Sequence, residues 1–456
     1  MALILRAIPC WFERMSSLDQ CMHRDQERAL ETTRTMPPAQ MFTPRLGCGR
    51  RTVSARQSAG ISAYSPLLKS AMLSKQNFIL VLGTAAVASA LIACGFGGEE
   101  YRLELPPDFP MPSIPEDNPL TVQKVELGRR LFYDTRLSAN ATQSCSSCHQ
   151  QAHAFSEPGE VAIGSTGQKH RRNSMALVNA AYAASFTWAH PGITTLEQHM
   201  LIPLFGDSPI EMGAGGHEQE ILERLEADAD YRRLFADAFA FERDRINFNN
   251  VSKAIACFVR SLVSFQSPFD RYAYAGDDSA LSESQIRGMN LFMSERLECS
   301  HCHSGFNFSQ FVTHQASTPT DNPFHVTGLY YVADNPVPQF DFGVFDVSSN
   351  PEDKDKFKAP TLRNIEFSAP YMHDGSLSTL EDVLDFYAAG GREIAEGPMK
   401  GDGRKHPRKS PFIRGFILTP QEKHDVIDFL RSLSDEQFVK DPRFADPFAA
   451  QAAVDP

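Results

Sequence analysis

The chain has 456 residues, with 44 Lys and Arg against 56 Asp and Glu and a formal charge of −12. Its 42% hydrophobic and 22% charged content fits a soluble globular protein with room for two or three domains. Residues 1–71 hold a net charge of +5, so 72–456 stand at −17, and an acidic body of that size argues against nucleic-acid binding.

Residues 1–71 are rich in Arg and Ser, lack a core pattern, and are expected to lie outside the mature protein. From Met72 the sequence reads MLSKQNFILVLGTAAVASALIAC, with a Lys near its start, an apolar run from Phe78 and small residues before Cys94. This resembles a bacterial lipoprotein signal, with 72–93 as the signal peptide and Cys94 as the lipidated residue. A membrane-spanning helix is the other reading, but the run is short for a span. The Gly-, Pro- and acid-rich stretch 94–116 is expected to be a flexible tether. Together these place the protein in the periplasm, touching the membrane only through its anchor.

Next in the chain come VELGRRLF (125–132), CSSCH (145–149) and ACFVRSLVSF (256–265). The same order returns as QIRGMNLF (285–292), CSHCH (299–303) and IDFLRSLSDE (427–436). The flanking segments have helical apolar spacing, and a Gly within a helix implies close approach to another helix. The expected fold is mainly α: two cytochrome c-like haem domains related by an internal repeat, 117–275 and 276–440, with a tail at 441–456. Residues 313–356, rich in Asp, Asn, Pro and Phe, read as an irregular excursion.

Two cysteines three apart can form thioethers to one haem, and the following histidine then points its imidazole at the iron. C-x-x-C-H at Cys145, Cys148, His149 and at Cys299, Cys302, His303 therefore reads as two covalent c-type haems. A zinc ribbon would place both C-x-x-C pairs around one metal, whereas here each pair has its own histidine. Cys257, on the apolar face of its helix, reads as a small buried hydrophobe.

These motifs, with HRRNSMALVNAAY (170–182), TLEQ…PIEMG (195–213), FKAPTLRNIEFSAPYMHDG (357–375) and TLEDVLDFYAAGG (379–391), resemble the bacterial di-haem cytochrome c peroxidase and MauG family. The tail from Gly397 to Leu433 is similar to the MbnH-type branch, di-haem partners of a copper-associated periplasmic protein. The resemblance implies that Trp188 lies between the haems, that Gln198, Pro203 and Glu211 line the peroxide pocket of the first haem, and that Asn173, Ser368 and Pro370 bind calcium. It implies Ser165 where ordinary peroxidases carry a capping histidine, which leaves the first haem five-coordinate without prior reduction.

The resemblance also puts Tyr387 where those enzymes ligate the second iron with methionine. Read from the residues alone, Ser378–Glu381 is a capping box and Gly390–Gly391 a stop, so Leu380, Val383, Leu384 and Tyr387 share one helix face. Met372 and His373 stay open as rival ligands. An anionic tyrosinate favours oxidised iron.

The implied activity uses hydrogen peroxide to form a high-valent di-haem state that oxidises a protein partner, by resemblance a tryptophan on a copper-associated protein. The alternatives are a peroxide-detoxifying cytochrome c peroxidase and a di-haem electron carrier. The basic segment 399–414 reads as a solvated loop, with partner docking as its alternative. His153, His170, His199, His217 and His314 read as surface or structural.

Overall fold

The computed structural model describes residues 98–317, 323–332 and 340–449. Residues 1–71, the signal segment and Cys94 lie outside the described residues. Among those described, no helix is long and apolar enough to cross a membrane.

The fold is mainly helical and rests on two helix crossings. Helix α1 (Val122–Tyr133) starts at Thr121, whose side chain accepts from Lys124 N, and buries Val125, Leu127, Leu131 and Phe132 at helical spacing. Four helices follow: α2 (Leu196–Phe205), α3 (Glu218–Ala227), α4 (Ala229–Ala238) and α5 (Phe248–Ser261). Helix α1 lies across α5 at Gly128, where a Cβ would stand 1.9 Å from the Ala254 carbonyl oxygen. Backbones that close exclude any side chain at this position, which explains the glycine inside a helix.

After α6 (Pro268–Tyr274), helix α7 (Glu283–Phe292) opens with a Ser282–Gln285 capping box. It crosses α9 (Pro420–Arg431), which opens with a Thr419–Glu422 box. At Gly288 a Cβ would again stand 1.9 Å from a carbonyl oxygen, that of Asp425. Helix α8 (Leu380–Ala388) packs on α9, and the only sheet among the described residues is the two-residue pair β1 (Glu393–Ile394) and β2 (Gly401–Asp402).

Each crossing seeds a core. Phe132, Phe155 and Phe258 interlock beneath the first, with ring centroids 5.1–6.3 Å apart. Phe292, Phe308 and Phe429 do so beneath the second, at 5.3–6.3 Å. Burying each such side chain is worth about 1.5–3 kcal/mol. Cys257 is fully buried on α5, as expected, and burial pushes its thiol pKa up to about 11. The described parts of 313–356 hold only one α-helical turn and one 3-10 turn, also as expected.

The tether expectation for 94–116 does not hold from residue 98 onward. Phe109 inserts edge-on against Phe265, Tyr274 and Phe306 at 4.7–5.4 Å, and Pro110 O accepts from the Tyr182 hydroxyl at 2.9 Å. Three aromatic contacts outweigh the backbone freedom that a Pro-rich composition implies. The start of the tail is likewise packed: Phe444 is buried in the first core, and its carbonyl accepts from the Tyr133 hydroxyl at 2.8 Å.

Candidate functional site

Cys145–Cys148 forms a single helical turn after Ser144, while Cys299–His301 forms a 3-10 turn after Glu298, which sits at φ 60°. All four thiols are free of disulfides. His149 Nδ1 lies 2.8 Å from Phe155 O, and His303 Nδ1 lies 3.1 Å from Phe308 O. Both carbonyls come from residues in the left-handed region, Phe155 at φ 59° and Phe308 at φ 48°. That conformation is costly for a bulky residue, and each ring's anchorage beneath its helix crossing holds it there. A backbone carbonyl accepts a hydrogen bond from Nδ1–H, which fixes the proton there and leaves the Nε2 lone pair for a metal. Burial pushes the His303 pKa down to about 4 and that of His149 down as well, so both rings stay neutral.

The second motif opens on an apolar cavity. Cys299, Cys302 and His303 line it together with Leu380, Val383, Leu384 and Tyr387 from α8. The helix begins one residue later than the Ser378–Glu381 box would put it: Thr379 pairs reciprocally with Asp382, because Thr379 holds the extended conformation a cap needs. Gly390 at φ 72° and Gly391 at φ 130° end it, as the sequence implied. The Tyr387 hydroxyl has no hydrogen bond among the described residues, and burial drives its pKa well above the usual tyrosine value. A buried phenol of this kind ionises only against a cation. Met372 and His373 line the same cavity, but His373 is stacked on Phe357 at 3.8 Å.

The residues present fit a haem. Lys358 is buried at this cavity, its Nζ donates to Ser185 O at 2.7 Å, and it has no ion-pair partner among the described residues. Burial lowers its pKa to about 7. A buried ammonium without a counter-ion suits a propionate.

Trp188 lines the same cavity, and its Nε1 donates to Asn173 O at 2.8 Å. Asn173, Ser368 and Pro370, expected around calcium, all line this cavity. The Asn173 amide nitrogen donates to Gly159 O at 2.9 Å and Glu160 O at 3.2 Å. Among the described hydrogen bonds, Asn173 Oδ1 and the carbonyls of Ser368 and Pro370 accept none. Uncommitted oxygens of this kind suit a hard cation.

Around the first motif the side chains are acids and bases. Burial raises the Glu211 carboxyl to about 7. Burial likewise raises the thiols of Cys145 and Cys148, with a smaller push from the Glu211 carboxylate and, for Cys148, from Glu157. Helix α2 holds Glu211 in place, because Pro203 O accepts from Met212 N at 2.9 Å. Ser165 lies alongside, its backbone N donating to Glu211 O at 2.8 Å. Gln198 is not brought into this group: it is exposed, and its Oε1 accepts from Thr194 N at 3.4 Å. The neighbouring His199 lines the cavity instead, and burial lowers its pKa to about 3. Helical spacing from Leu196 carries that signal, since 196, 199, 200 and 203 share a face and 198 does not. His170, also read from sequence as peripheral, lies beside Glu211 at 4.0 Å. Its neighbour is distant in sequence, so no local pattern marks it.

The basic segment 399–414 is largely neutralised within the chain. Arg404 pairs with Asp402 and Glu393, Lys405 with Asp402, Arg408 with Glu352, and Arg414 with Glu298. This favours a folded loop over a docking surface for an acidic partner.

Residues 122–279 match the family model of di-haem cytochrome c peroxidases. The chain is 34% identical over 373 residues to the cytochrome-c peroxidase IdrP1 of Pseudomonas sp. (strain SCT), covering 78% of this chain and 92% of that protein. It is 34% identical over 322 residues to the methylamine utilization protein MauG of Methylorubrum extorquens, covering 71% and 81%. A solved MauG-like protein associated with microbial copper homeostasis is 46% identical, with a TM-score of 0.74 over 76% of this chain and 99% of that one. The chain belongs to the di-haem cytochrome c peroxidase family and is a peroxidase-type oxidoreductase. Membership implies two haems, and the chain carries two motifs to hold them.

Proposed function

We propose that this protein uses hydrogen peroxide to oxidise a partner protein in the periplasm, in the manner of MauG, and that it does not chiefly detoxify peroxide. The internal repeat is read as two cytochrome c-like haem domains, 117–275 and 276–440, carried on a lipid anchor at Cys94. Haem held by Cys145, Cys148 and His149, and by Cys299, Cys302 and His303, supplies the iron that accepts peroxide and stores its oxidising equivalents. Glu211 takes a proton from the inner oxygen of peroxide and returns it to the outer one, so that water leaves. Trp188, in the cavity of the second motif, provides an electron path toward the first. Tyr387 is the oxygen ligand of the second iron and favours its oxidised states. Asn173, Ser368 and Pro370 hold calcium.

Tyr387 carries the reading: an unpartnered phenol in the same apolar cavity as His303. The likeness to a MauG-like protein associated with microbial copper homeostasis supports a copper-associated partner, and tryptophan as its oxidised residue is carried by the family resemblance alone. Similarity to IdrP1, named a cytochrome-c peroxidase, favours the detoxifying reading. Rapid mixing of the fully ferric protein with stoichiometric peroxide separates the two. The proposal expects immediate change in both haem spectra without a reductant, whereas a strict need for prior half-reduction supports the detoxifying enzyme.

A further inference from the structure

The segment before His170 is a short hairpin. Ile163 and Lys169 form its bridge, His170 N donates to Ala162 O at 3.0 Å, and Gly167 N donates to Gly164 O at 2.9 Å. The hairpin rides directly on the backbone that carries Glu211. A Cβ on Gly164 would stand 1.8 Å from Ile210 O, and Ser165 N donates to Glu211 O at 2.8 Å. This contact delivers the His170 side chain, only 12% exposed, with Nδ1 4.0 Å from Glu211 Oε1. Its Nε2 is fully buried with no hydrogen-bond partner among the described residues.

That orphan nitrogen decides the tautomer. A buried N–H without an acceptor is costly, and the cost falls away if the proton sits on the other nitrogen, which has a carboxyl oxygen facing it. The favoured arrangement places the hydrogen on Nδ1, directed at Oε1. The separation of 4.0 Å is longer than a hydrogen bond, and a small side-chain rotation closes it, since such contacts tighten once a reactant is present.

We propose that His170 is a positioning residue for Glu211: by donating from Nδ1 to Oε1 it leaves Oε2 as the oxygen that exchanges a proton with peroxide. This rests on the reading of the His149 haem as the peroxide site. No electron moves in the step. The proton that leaves peroxide lands on Oε2 while the Nδ1 proton stays on His170.

Two polar variants of similar size test it in the haem-loaded protein. In His170→Asn the amide nitrogen falls near the Nδ1 position and retains the donor; in His170→Gln the amide reaches past it and the donor is lost. The probe is cyanide binding to the ferric first haem, followed by its absorption change, because hydrogen cyanide must surrender a proton to bind. Nitric oxide, which binds without proton transfer, is the control. His170→Gln is expected to slow cyanide binding about tenfold to a hundredfold, the lower end of what a positioned proton-transfer group contributes. His170→Asn should stay within a few-fold of wild type, with nitric oxide binding unaltered in both. Equal cyanide rates in the two variants overturn the proposal and leave His170 as a packed ring. Slowing of cyanide and nitric oxide together also overturns it, because access and not proton transfer would then be at stake. Failure of the wild-type protein to react with peroxide sinks the peroxidase reading instead, and is measured separately.

Discussion

Around Cys145–His149 the side chains beyond the ligand can hold or move protons: Glu211 with its carboxyl raised to about 7, His170 beside it, and His199 nearby. Around Cys299–His303 helix α8 contributes Leu380, Val383, Leu384 and Tyr387, while Lys358, His373 and His199, polar groups of that cavity, come from other segments. Yet both motifs hang from the same device, a glycine-mediated helix crossing whose buried phenylalanine offers its carbonyl to the histidine. The shared scaffold fixes one nitrogen of each histidine toward a metal, and the opposite walls then divide the labour. O–O cleavage needs proton movement, so we assign it to the wall with Glu211 and assign storage of an oxidising equivalent to the side with Tyr387.

The comparison breaks most visibly at Glu211. Glu211→Gln keeps the shape and removes the base, so the peroxide step should slow on the order of 10²–10⁴-fold while both haems stay attached. The wild-type rate should fall as pH drops through about 7, where Glu211 gains its proton, and the variant should lack that step. For stability the sign is opposite. A carboxyl whose folded pKa lies above its unfolded value stabilises most below the unfolded value and loses that contribution as pH rises through about 7. Stopped-flow absorption and thermal melts across pH check the two signs separately.

A change to the scaffold itself should act alike on both halves. Gly128→Ala and Gly288→Ala each force a Cβ against a backbone carbonyl that cannot move aside. Each should cost about 1–3 kcal/mol, read from denaturant midpoints. A loss at one crossing alone would mean that they are not equivalent. The smallest expected effect is that of chelating the calcium proposed at Asn173, Ser368 and Pro370. Asn173 belongs to the segment before Trp188, and Ser368 and Pro370 to the one before α8, so chelation should loosen their placement, lowering peroxide activity and shifting the haem spectra. An enzyme shown to have lost its calcium and left unchanged would remove the cation from the account.

Much of this was legible in the chain. C-x-x-C-H carries its chemistry in its spacing, and the helix-internal glycines announced crossings because a missing side chain has a single steric meaning. The face of α8 was readable from its period, although the cap moved by one residue. Burial that depends on distant partners was not readable. Phe109 reads as part of a loose linker until Phe265 and Phe306 are beside it, and His170 reads as peripheral until its hairpin meets Glu211. Gln198 drew attention by resemblance, while helical phase pointed to His199.

The central claim is that the second cavity holds an oxidising equivalent on an oxygen-ligated iron, and Tyr387→Phe tests it most directly. The ring and its packing remain and only the hydroxyl is lost. Paramagnetic resonance and absorption spectra of the ferric holoprotein, before and after one equivalent of peroxide, should show the second-haem signal altered, that haem more easily reduced, and the peroxide product no longer shared with it. Haem content should stay unchanged. A second-haem signal identical to wild type would contradict the account, because Tyr387 would then be a core tyrosine and not the ligand.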